Sequence, residues 1–232
     1  MSLIHSPGIY PDQPVAQFEL GTQRNFVYLV LDWSGVPGRR QAAIIDPQRD
    51  IETPLQALKH HGFILSAVLL THSHSDHTAG LPYLLERFPE LPVYAHLSEQ
   101  KRLKKYTRNR SAFHALEDGT LIPVGKEELR TLHTPGHSAG ECCFLLHARP
   151  NYLFTGDMLF IGDCGRTDLD TGNTNEMFQS LQKLRSLAGE IEDAVVLPGH
   201  HYSEGCASTL QSELQNSPPF QCQSSHCLER LP

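Results

Sequence analysis

The chain has 232 residues, of which 39% are hydrophobic and 19% are charged, and its formal net charge is -7 at pH 7. This length suits one large domain with a substantial core, and because no linker or repeat divides the chain we expect a single domain over residues 1–232, with a short C-terminal helix and tail. The negative charge argues against nucleic-acid binding, and no apolar run is long enough to span a membrane.

The first residues of the chain lack the basic region and apolar core of a secretory signal, so we expect a cytoplasmic protein with reduced cysteines. Segments rich in β-forming residues follow, separated by turn residues, and these predict the first strands: Gln17 to Leu20, Phe26 to Leu31 and Ala42 to Ile45. Asp46 ends the third segment, before a proline. Its carboxylate is equally suited to supporting a metal ligand from behind and to forming the turn.

The next segment has the features of a helix start followed by a strand. Thr53 is the predicted cap, Pro54 takes the first helical position, and Gln56 can return the capping bond. Gly62 would end this helix, and the apolar run from Phe63 to Leu70 follows as a strand.

The stretch that directs the functional interpretation follows that strand and contains His72, His74, Asp76 and His77. Alternate residues of an extended chain point the same way, so His72 and His74 can share one metal. Asp76 and His77 are adjacent at a turn and point elsewhere, which suggests two metal positions side by side. The alternative is a loop that is merely polar and solvated.

Apolar residues then recur at the spacing of one helical face and are assigned to the core: Leu81, Leu84, Leu85 and Phe88. Pro92 to Ala95 predicts a strand, and Ser98 begins a short basic helix. Basic residues cluster there: Lys101, Arg102, Lys104, Lys105, Arg108 and Arg110. We interpret this cluster as a solvated helix face. The alternative is a platform for an anionic substrate tail.

Three further candidate ligands, His137, Asp157 and His200, each come at the end of a predicted strand, and they argue against the merely polar loop. The strands that deliver them are assigned as follows: Leu129 to Leu132 before His137, Cys142 to Leu146 paired with Tyr152 to Thr155 before Asp157, and Ala194 to Leu197 before His200. Cys142 and Cys143 are expected to be buried thiols.

Two helices are predicted in the last third of the chain. Asn173 with Glu176 begins the first, whose Met177, Leu181 and Leu184 face the core. Ser208 is expected to cap the last helix, which ends before Pro218. In the tail, a lone Cys-x4-Cys with one histidine is compatible with a soft-metal site or a disulfide, and the sequence leaves this open: Cys222, His226 and Cys227.

The order of these motifs, from about Phe26 to about Tyr202, resembles the metallo-β-lactamase superfamily. Periodicity gives the α/β class, and the resemblance implies an αββα sandwich of two mixed β-sheets covered by helices. It also implies the metal ligands: His72, His74 and His137 for the first ion, Asp76, His77 and His200 for the second, and Asp157 as a bridge.

Imidazole nitrogen and carboxylate oxygen are ligands that zinc accepts readily. Two ions about 3.5 to 4 Å apart can share a hydroxide, because a metal lowers the pKa of bound water from about 16 towards about 7. Asp76 is a candidate proton relay close to that water. Serine-hydrolase, Walker and dinucleotide-binding motifs do not occur in the sequence.

The substrate class depends on Cys164-Gly165-Arg166-Thr167-Asp168 together with Tyr202. These residues resemble glyoxalase II, which cleaves S-acylglutathione thioesters, and the persulfide dioxygenases, which oxidise glutathione persulfide with one iron. Arg166 can pair bidentately with a substrate carboxylate, and Tyr202 can donate a hydrogen bond while its ring covers the thioester. The alternative for Arg166 is an ion pair with Asp163 or Asp168.

We therefore predict a metal-dependent hydrolase of small acyl thioesters, glyoxalase II-like, with two divalent ions expected to be zinc. The alternative is a mononuclear Fe(II) persulfide dioxygenase. The expected partner is a small-molecule thioester or other thiol-derived substrate, with no nucleic acid and no membrane. Glyoxalase II continues past its last ligand into a helical domain that helps hold glutathione, whereas residues 201–232 are mostly polar and uncharged here, so the thiol carrier and the oligomeric state stay open.

Overall fold

The computed structural model describes residues 8–107, 113–191 and 193–231. Arg108 and Arg110 of the basic cluster, and the first seven residues on which the expected location depends, lie outside these ranges. Within the described ranges no helix combines the length and apolarity needed to cross a bilayer.

The described strands form two mixed sheets in which spatial order follows chain order. The first sheet contains β1 Val15–Leu20, β2 Asn25–Leu31, β3 Arg40–Ile45, β4 Phe63–Leu69, β5 Val93–His96 and β6 Phe113–Leu116. The second contains β7 Leu121–Val124, β8 Glu127–His133, β9 Cys142–Leu146, β10 Tyr152–Gly156, β11 Val195–Pro198 and β12 Ser208–Thr209. Strands β3 to β6 pair in parallel, and in the second sheet β10 pairs in parallel with β11.

Helices cover the outer face of each sheet. Those near the first sheet are α1 Glu52–His60, α2 Ser75–Thr78, α3 Leu81–Arg87 and α4 Gln100–Thr107, the last preceded by a 3-10 turn at Leu97–Glu99. Those near the second sheet are α5 Thr174–Ser186, α6 Ala188–Ile191, α7 Leu210–Asn216, α8 Pro218–Gln221 and α9 Ser225–Leu228.

Strand β2 shows why the chain forms this sandwich. Every residue of β2 is buried, and successive residues face opposite sides of the sheet. Phe26, Tyr28 and Val30 pack in the core between the two sheets, whereas Val27, Leu29 and Leu31 pack against α1, α3 and α4. A third apolar cluster lies between the second sheet and α5 to α9. Full burial of each large apolar side chain contributes about 1.5–3 kcal/mol to the free energy of unfolding. Two sheets packed together and covered by helices confirm the predicted αββα sandwich.

Five strands end at one edge of the sandwich. Strands β3 and β4 are parallel, and β8, β10 and β11 run in a common direction in the second sheet. Several hydrogen bonds join the sheets at this edge. The Phe26 amide, for example, donates to the Gly199 carbonyl at 2.8 Å, and the Tyr28 hydroxyl donates to the Pro198 carbonyl at 2.6 Å. Loops that follow these strands are therefore held close together.

Two residues predicted as helix caps, Thr53 and Ser208, do not cap the helices. Helix α1 begins at Glu52, and its cap position is Ile51, which has no side-chain capping bond within the described residues; Ile51 is fully buried, so apolar packing fixes this start. Ser208 pairs with Val196 in β12, and Thr209 caps α7 by accepting from the Ser212 amide at 3.2 Å.

The structure also tests three other predicted helix boundaries, at Gly62, Asn173 and Pro218. Gly62, with φ of 72°, follows α1 as predicted, and Asn173 caps α5 by accepting from two backbone amides. Helix α7 ends at Asn216, before Pro218 as predicted, but it is not the last helix: Pro218 begins the short helix α8, because proline suits the first helical position.

The expectation that all cysteines are reduced is wrong for one pair. Cys142 and Cys143 are buried thiols, as predicted, but Cys222 and Cys227 form a disulfide. The turn between α8 and α9 places their Cα atoms 5.4 Å apart, within the range a disulfide spans. His226 Nδ1 lies 3.2 Å from a carboxylate oxygen of Glu229.

Candidate metal centre

All the metal ligands predicted from the sequence meet at this strand edge. His72 and His74 follow β4, Asp76 and His77 belong to α2, and the remaining ligands follow β8, β10 and β11: His137, Asp157 and His200. All of them except Asp157 fall into two compact groups, and within each group the ligand atoms lie within 4.8 Å of one another.

The first cluster consists of His72, His74 and His137. The rings of His72 and His74 have centroids 4.6 Å apart, and His137 Nε2 lies 2.9 Å from His74 Nδ1. Burial, together with the charges around them, lowers the pKa of each of these imidazoles, that of His74 to about 4. At neutral pH they are therefore uncharged, which is the form that binds metal ions.

The second cluster consists of Asp76, His77 and His200. The Nε2 atoms of the two histidines are 3.2 Å apart, and each lies 3.3 Å from Asp76 Oδ2. Burial works against charge here, but the carboxylates outweigh it and raise the pKa of His200 to about 9 and that of His77 well above its usual value. The raised pKa values mean that His77 and His200 hold an extra proton in the absence of a metal. A bound cation would take the place of these protons.

Asp157 lies between the two clusters. Its carboxylate oxygens are 3.4 Å from His77 Nε2, 3.4 Å from His200 Nε2 and 3.6 Å from His137 Nε2. Among the described residues, Asp157 Oδ1 and His72 Nε2 are buried without a hydrogen-bond partner. Buried polar atoms are normally paired, so these two atoms fit a site that is completed by cations.

Two backbone carbonyls orient the histidine rings. His137 Nδ1 donates to the Arg166 carbonyl at 2.8 Å, and His200 Nδ1 donates to the Gln23 carbonyl at 2.9 Å. Because a carbonyl only accepts, each Nδ1 carries the proton and each Nε2 presents its lone pair to the centre. Sequence reasoning missed both contacts, since any residue type can supply a backbone carbonyl.

Asp46 fulfils both of the roles that the sequence left open. It adopts φ of 52° after β3, and it accepts hydrogen bonds from the Thr71 amide at 2.8 Å and from the Thr71 hydroxyl at 2.6 Å. Its Oδ2 also lies 3.0 Å from His77 Nδ1. The turn residue therefore supports His77 from behind.

We expect Asp46→Asn to weaken zinc binding at the second cluster by about 10- to 100-fold, because the carboxylate that orients His77 is lost. Asparagine tolerates the left-handed backbone conformation of this position. The measurement is a zinc titration against a competing chelator. Asp12→Asn is the matched control, since Asp12 also has positive φ, at 62°, but is exposed. Equal zinc affinities for Asp46→Asn and the wild type would contradict the supporting role.

Two buried glutamates, Glu99 and Glu141, lie next to the clusters, and the sequence analysis did not identify them. Glu99 accepts from the Ser138 hydroxyl at 3.0 Å and the Gly140 amide at 2.9 Å, and also from the Ser73 hydroxyl, so it ties two ligand-bearing loops together. Glu141 Oε2 lies 3.4 Å from His72 Nδ1. Burial, together with nearby carboxylates, raises the pKa of Glu141 well above its usual value. No sequence motif marks either residue.

A cavity of about 570 Å³ opens beside the clusters, and its apolar wall includes Phe160, Ile161 and Leu169. Tyr202 also lines it and stacks on His200 with ring centroids 4.6 Å apart and planes at 10°. Burial and the Asp157 and Asp76 charges raise the pKa of Tyr202, so its hydroxyl stays protonated and able to donate at neutral pH.

Arg166, which the sequence predicts to bind a substrate carboxylate, also lies at this cavity and is already paired. Arg166 lines the cavity and forms a bidentate pair with Asp168, at 2.6 and 2.7 Å, which is one of the two ion pairs considered from the sequence. The other candidate, Asp163, accepts from the Cys164 amide. In the basic cluster, Lys101, Lys104 and Lys105 are exposed on α4, and Arg102 pairs with Asp170.

Sequence comparisons agree with this geometry. A sequence model of the metallo-β-lactamase superfamily matches residues 22–200. The hydroxyacylglutathione hydrolases of Salmonella paratyphi A and Salmonella dublin are each 34% identical to the chain over 181 residues, which is 78% of this chain and 63% of those proteins. The chain therefore spans less than two thirds of the length of these curated relatives.

Solved structures show the same fold. A metallo-β-lactamase from Staphylococcus aureus subsp. aureus COL superposes with a TM-score of 0.78 at 26% identity, covering 94% of this chain and 66% of that one. ETHE1 from Myxococcus xanthus gives 0.76 at 26% identity, with 95% and 92% covered. TTHA1623, solved in a di-iron-bound form, gives 0.70 at 31% identity, with 86% and 97% covered.

Proposed function

This chain belongs to the metallo-β-lactamase superfamily, and on that premise we propose that it is a glyoxalase II-like, metal-dependent hydrolase of small acyl thioesters. The observation that carries the proposal is the pair of complete clusters that share Asp157 beside an open cavity. The relatives named hydroxyacylglutathione hydrolase support a thioester of a glutathione-like thiol as the substrate.

In this proposal His72, His74 and His137 would hold one ion, Asp76, His77 and His200 would hold the other, and Asp157 would serve both. Zinc suits this set of imidazoles and carboxylates. When bound, such ions lower the pKa of a water molecule towards about 7 and polarise the carbonyl of the substrate.

The remaining steps belong to side chains of the protein. Asp76 is oriented by the Asn25 amide group, which donates to Oδ2 at 3.0 Å, and it lines the cavity. In this proposal Asp76 takes up the proton of the attacking water and returns it to the leaving thiolate. In this proposal Tyr202, whose ring stacks on His200, donates a hydrogen bond to the substrate.

A second candidate function is that of a mononuclear Fe(II) persulfide dioxygenase. The specific observation in its favour is that His137 lies 3.6 Å from Asp157 and shares a cluster with His72, since two imidazoles and one carboxylate are a ligand set typical of non-haem iron oxygenases. The sequence Cys164-Gly165-Arg166-Thr167-Asp168 resembles both subfamilies and does not separate them.

We expect the zinc-loaded protein to release free thiol from an S-acylglutathione with kcat of about 1–1000 per second, and to take up no oxygen with glutathione persulfide. The physical reason is that the second cluster offers a complete ligand set, which hydrolysis uses and an iron oxygenase does not need. Thiol release and oxygen uptake are measured on the same preparation, together with its metal content. Oxygen uptake by an iron-containing preparation without any thiol release would overturn the proposal.

A further inference from the structure

Glu141 is a fully buried residue directly before β9, and the function proposed above gives it no role. Its backbone is fixed on both sides, because its amide donates to the Ser138 carbonyl at 3.3 Å and its carbonyl accepts from the Thr134 amide at 2.9 Å. In the side chain, Oε1 accepts from the Asp157 amide at 3.2 Å, but Oε2 has no hydrogen-bond partner among the described residues. A buried carboxylate with an unpartnered oxygen lowers stability, so packing alone does not explain this residue.

The unpartnered oxygen lies beside the ring of His72. Glu141 Oε2 is 3.4 Å from His72 Nδ1, and both side chains are fully buried. The same nitrogen lies 3.0 Å from the Thr71 hydroxyl, which donates its only proton to Asp46 at 2.6 Å. The Thr71 oxygen can therefore only accept from His72, so Nδ1 carries the ring proton and Nε2 presents its lone pair to the centre. Two acceptors, one from Thr71 and one from Glu141, thus surround a single donor.

Gly156 provides the space in which Glu141 and Thr71 meet. It has φ of 52°, and a Cβ atom at this position would collide with Glu141 Oε1 and with Thr71 Oγ1. Any other residue would therefore push both groups away from His72. Because Gly156 directly precedes Asp157, the turn that delivers the ligand between the two clusters also admits the glutamate.

We propose that Glu141 is a positioning residue that raises the affinity of the first cluster for a divalent cation, by holding the ring of His72 and the backbone of Asp157 fixed relative to each other. This inference rests on the metal centre of the function proposed above and not on the reaction. A carboxylate behind a ligating imidazole orients the ring and makes its other nitrogen a stronger ligand. Asp46 stands behind His77 in the same way, so each cluster has one imidazole that a buried carboxylate supports.

The test is a zinc titration of Glu141→Gln against a competing chelator. Glutamine keeps the size of the side chain and an oxygen that can accept from Asp157, but it places an N–H donor against the N–H donor of His72. The titration is made in Asp76→Ala, in which the first cluster is the complete one, and we expect Glu141→Gln to raise the Kd for zinc about 10- to 100-fold. In His74→Ala, in which the second cluster is the complete one, Glu141→Gln should leave the Kd unchanged.

The melting temperature of the metal-free protein separates this role from a structural one. We expect metal-free Glu141→Gln to melt at the wild-type temperature or above, because burial and the nearby carboxylates disfavour a charge at this position. Added zinc should raise the melting temperature less than it does in the wild type, because ligand stabilisation follows affinity. Glu213→Gln is the matched control, since Glu213 is also buried and accepts from a backbone amide, that of Gly162. Its zinc affinity should equal that of the wild type.

Several results would overturn the assignment of Glu141. These are an unchanged Kd or no zinc binding at all in the Asp76→Ala background, and an equal loss of affinity in the His74→Ala background, since the effect would then not belong to the first cluster. A weaker affinity together with a lower metal-free melting temperature would show a structural role instead. The expected loss of affinity in a protein that hydrolyses no thioester would support this assignment and refute the proposed hydrolase.

Discussion

Replacing Asp157 by asparagine is expected to lower kcat for thioester hydrolysis by about 1000-fold or more, equivalent to about 4 kcal/mol of transition-state stabilisation. The Asp157 carboxylate lies 3.4 to 3.6 Å from histidines of both clusters. An amide offers one acceptor oxygen and no charge. It therefore cannot serve both clusters, and it leaves His77 and His200 with one carboxylate fewer beside them.

The measurement is thiol release from an S-acylglutathione, with metal content and melting temperature determined on the same sample. We expect less bound metal than in the wild type, because the residue between the two positions is the one altered. Asp193→Asn is the control, since Asp193 is exposed and pairs with Asn151, and it should keep full activity. A fully metallated Asp157→Asn with the rate of the wild type would exclude a role for this carboxylate between the clusters.

Much of this arrangement could be predicted from local patterns. Alternation in an extended chain predicts that His72 and His74 face a common point, and the structure places their rings 4.6 Å apart. Strands β2, β3 and β4 are also predicted by local patterns, because their apolar runs are bounded by turn residues. Both features depend on residues that are neighbours in the chain.

Contacts between distant residues could not be predicted. The Gln23 carbonyl reaches His200 across 177 positions, and Glu99 and Glu141 carry no motif. Strands β6 and β7 were missed because they are short and mixed: β6 exposes His114 and Ala115, and β7 contains Pro123. For Cys222 and Cys227 the spacing left a metal site and a disulfide open, and the turn between α8 and α9 selects the disulfide.

The ion-pair partners of Arg166 and Arg102 also could not be fixed from the sequence. The sequence offered Asp163 and Asp168 as partners of Arg166, and only the fold shows that Asp168 meets both donor groups of the fork. For Arg102 the partner is 68 positions away, which no spacing rule reaches. Whether a charged helix is simply solvated or lies beside a site therefore depends on tertiary placement.

Asp76→Ala is expected to reduce thioester hydrolysis by about 1000-fold, nearly as much as His72→Ala, because hydrolysis by two ions depends on both clusters. Asp76 Oδ2 is 3.3 Å from the Nε2 atoms of both His77 and His200, so its loss removes one of the three ligands of the second cluster. Zinc content should fall from two ions towards one in Asp76→Ala.

The same pair of variants discriminates between the two candidate functions. A mononuclear iron oxygenase would use His72, His137 and Asp157, so it should tolerate Asp76→Ala and fail in His72→Ala, where one of its two imidazoles is missing. Oxygen uptake with glutathione persulfide and thiol release from an S-acylglutathione are therefore compared for the wild type and both variants, each with its metal content. Equal loss of thiol release in both variants fits the hydrolase, because each then lacks a ligand of one ion. Persulfide-dependent oxygen uptake that survives in Asp76→Ala, with iron still bound and no thiol release by the zinc-loaded wild type, would establish the oxygenase instead.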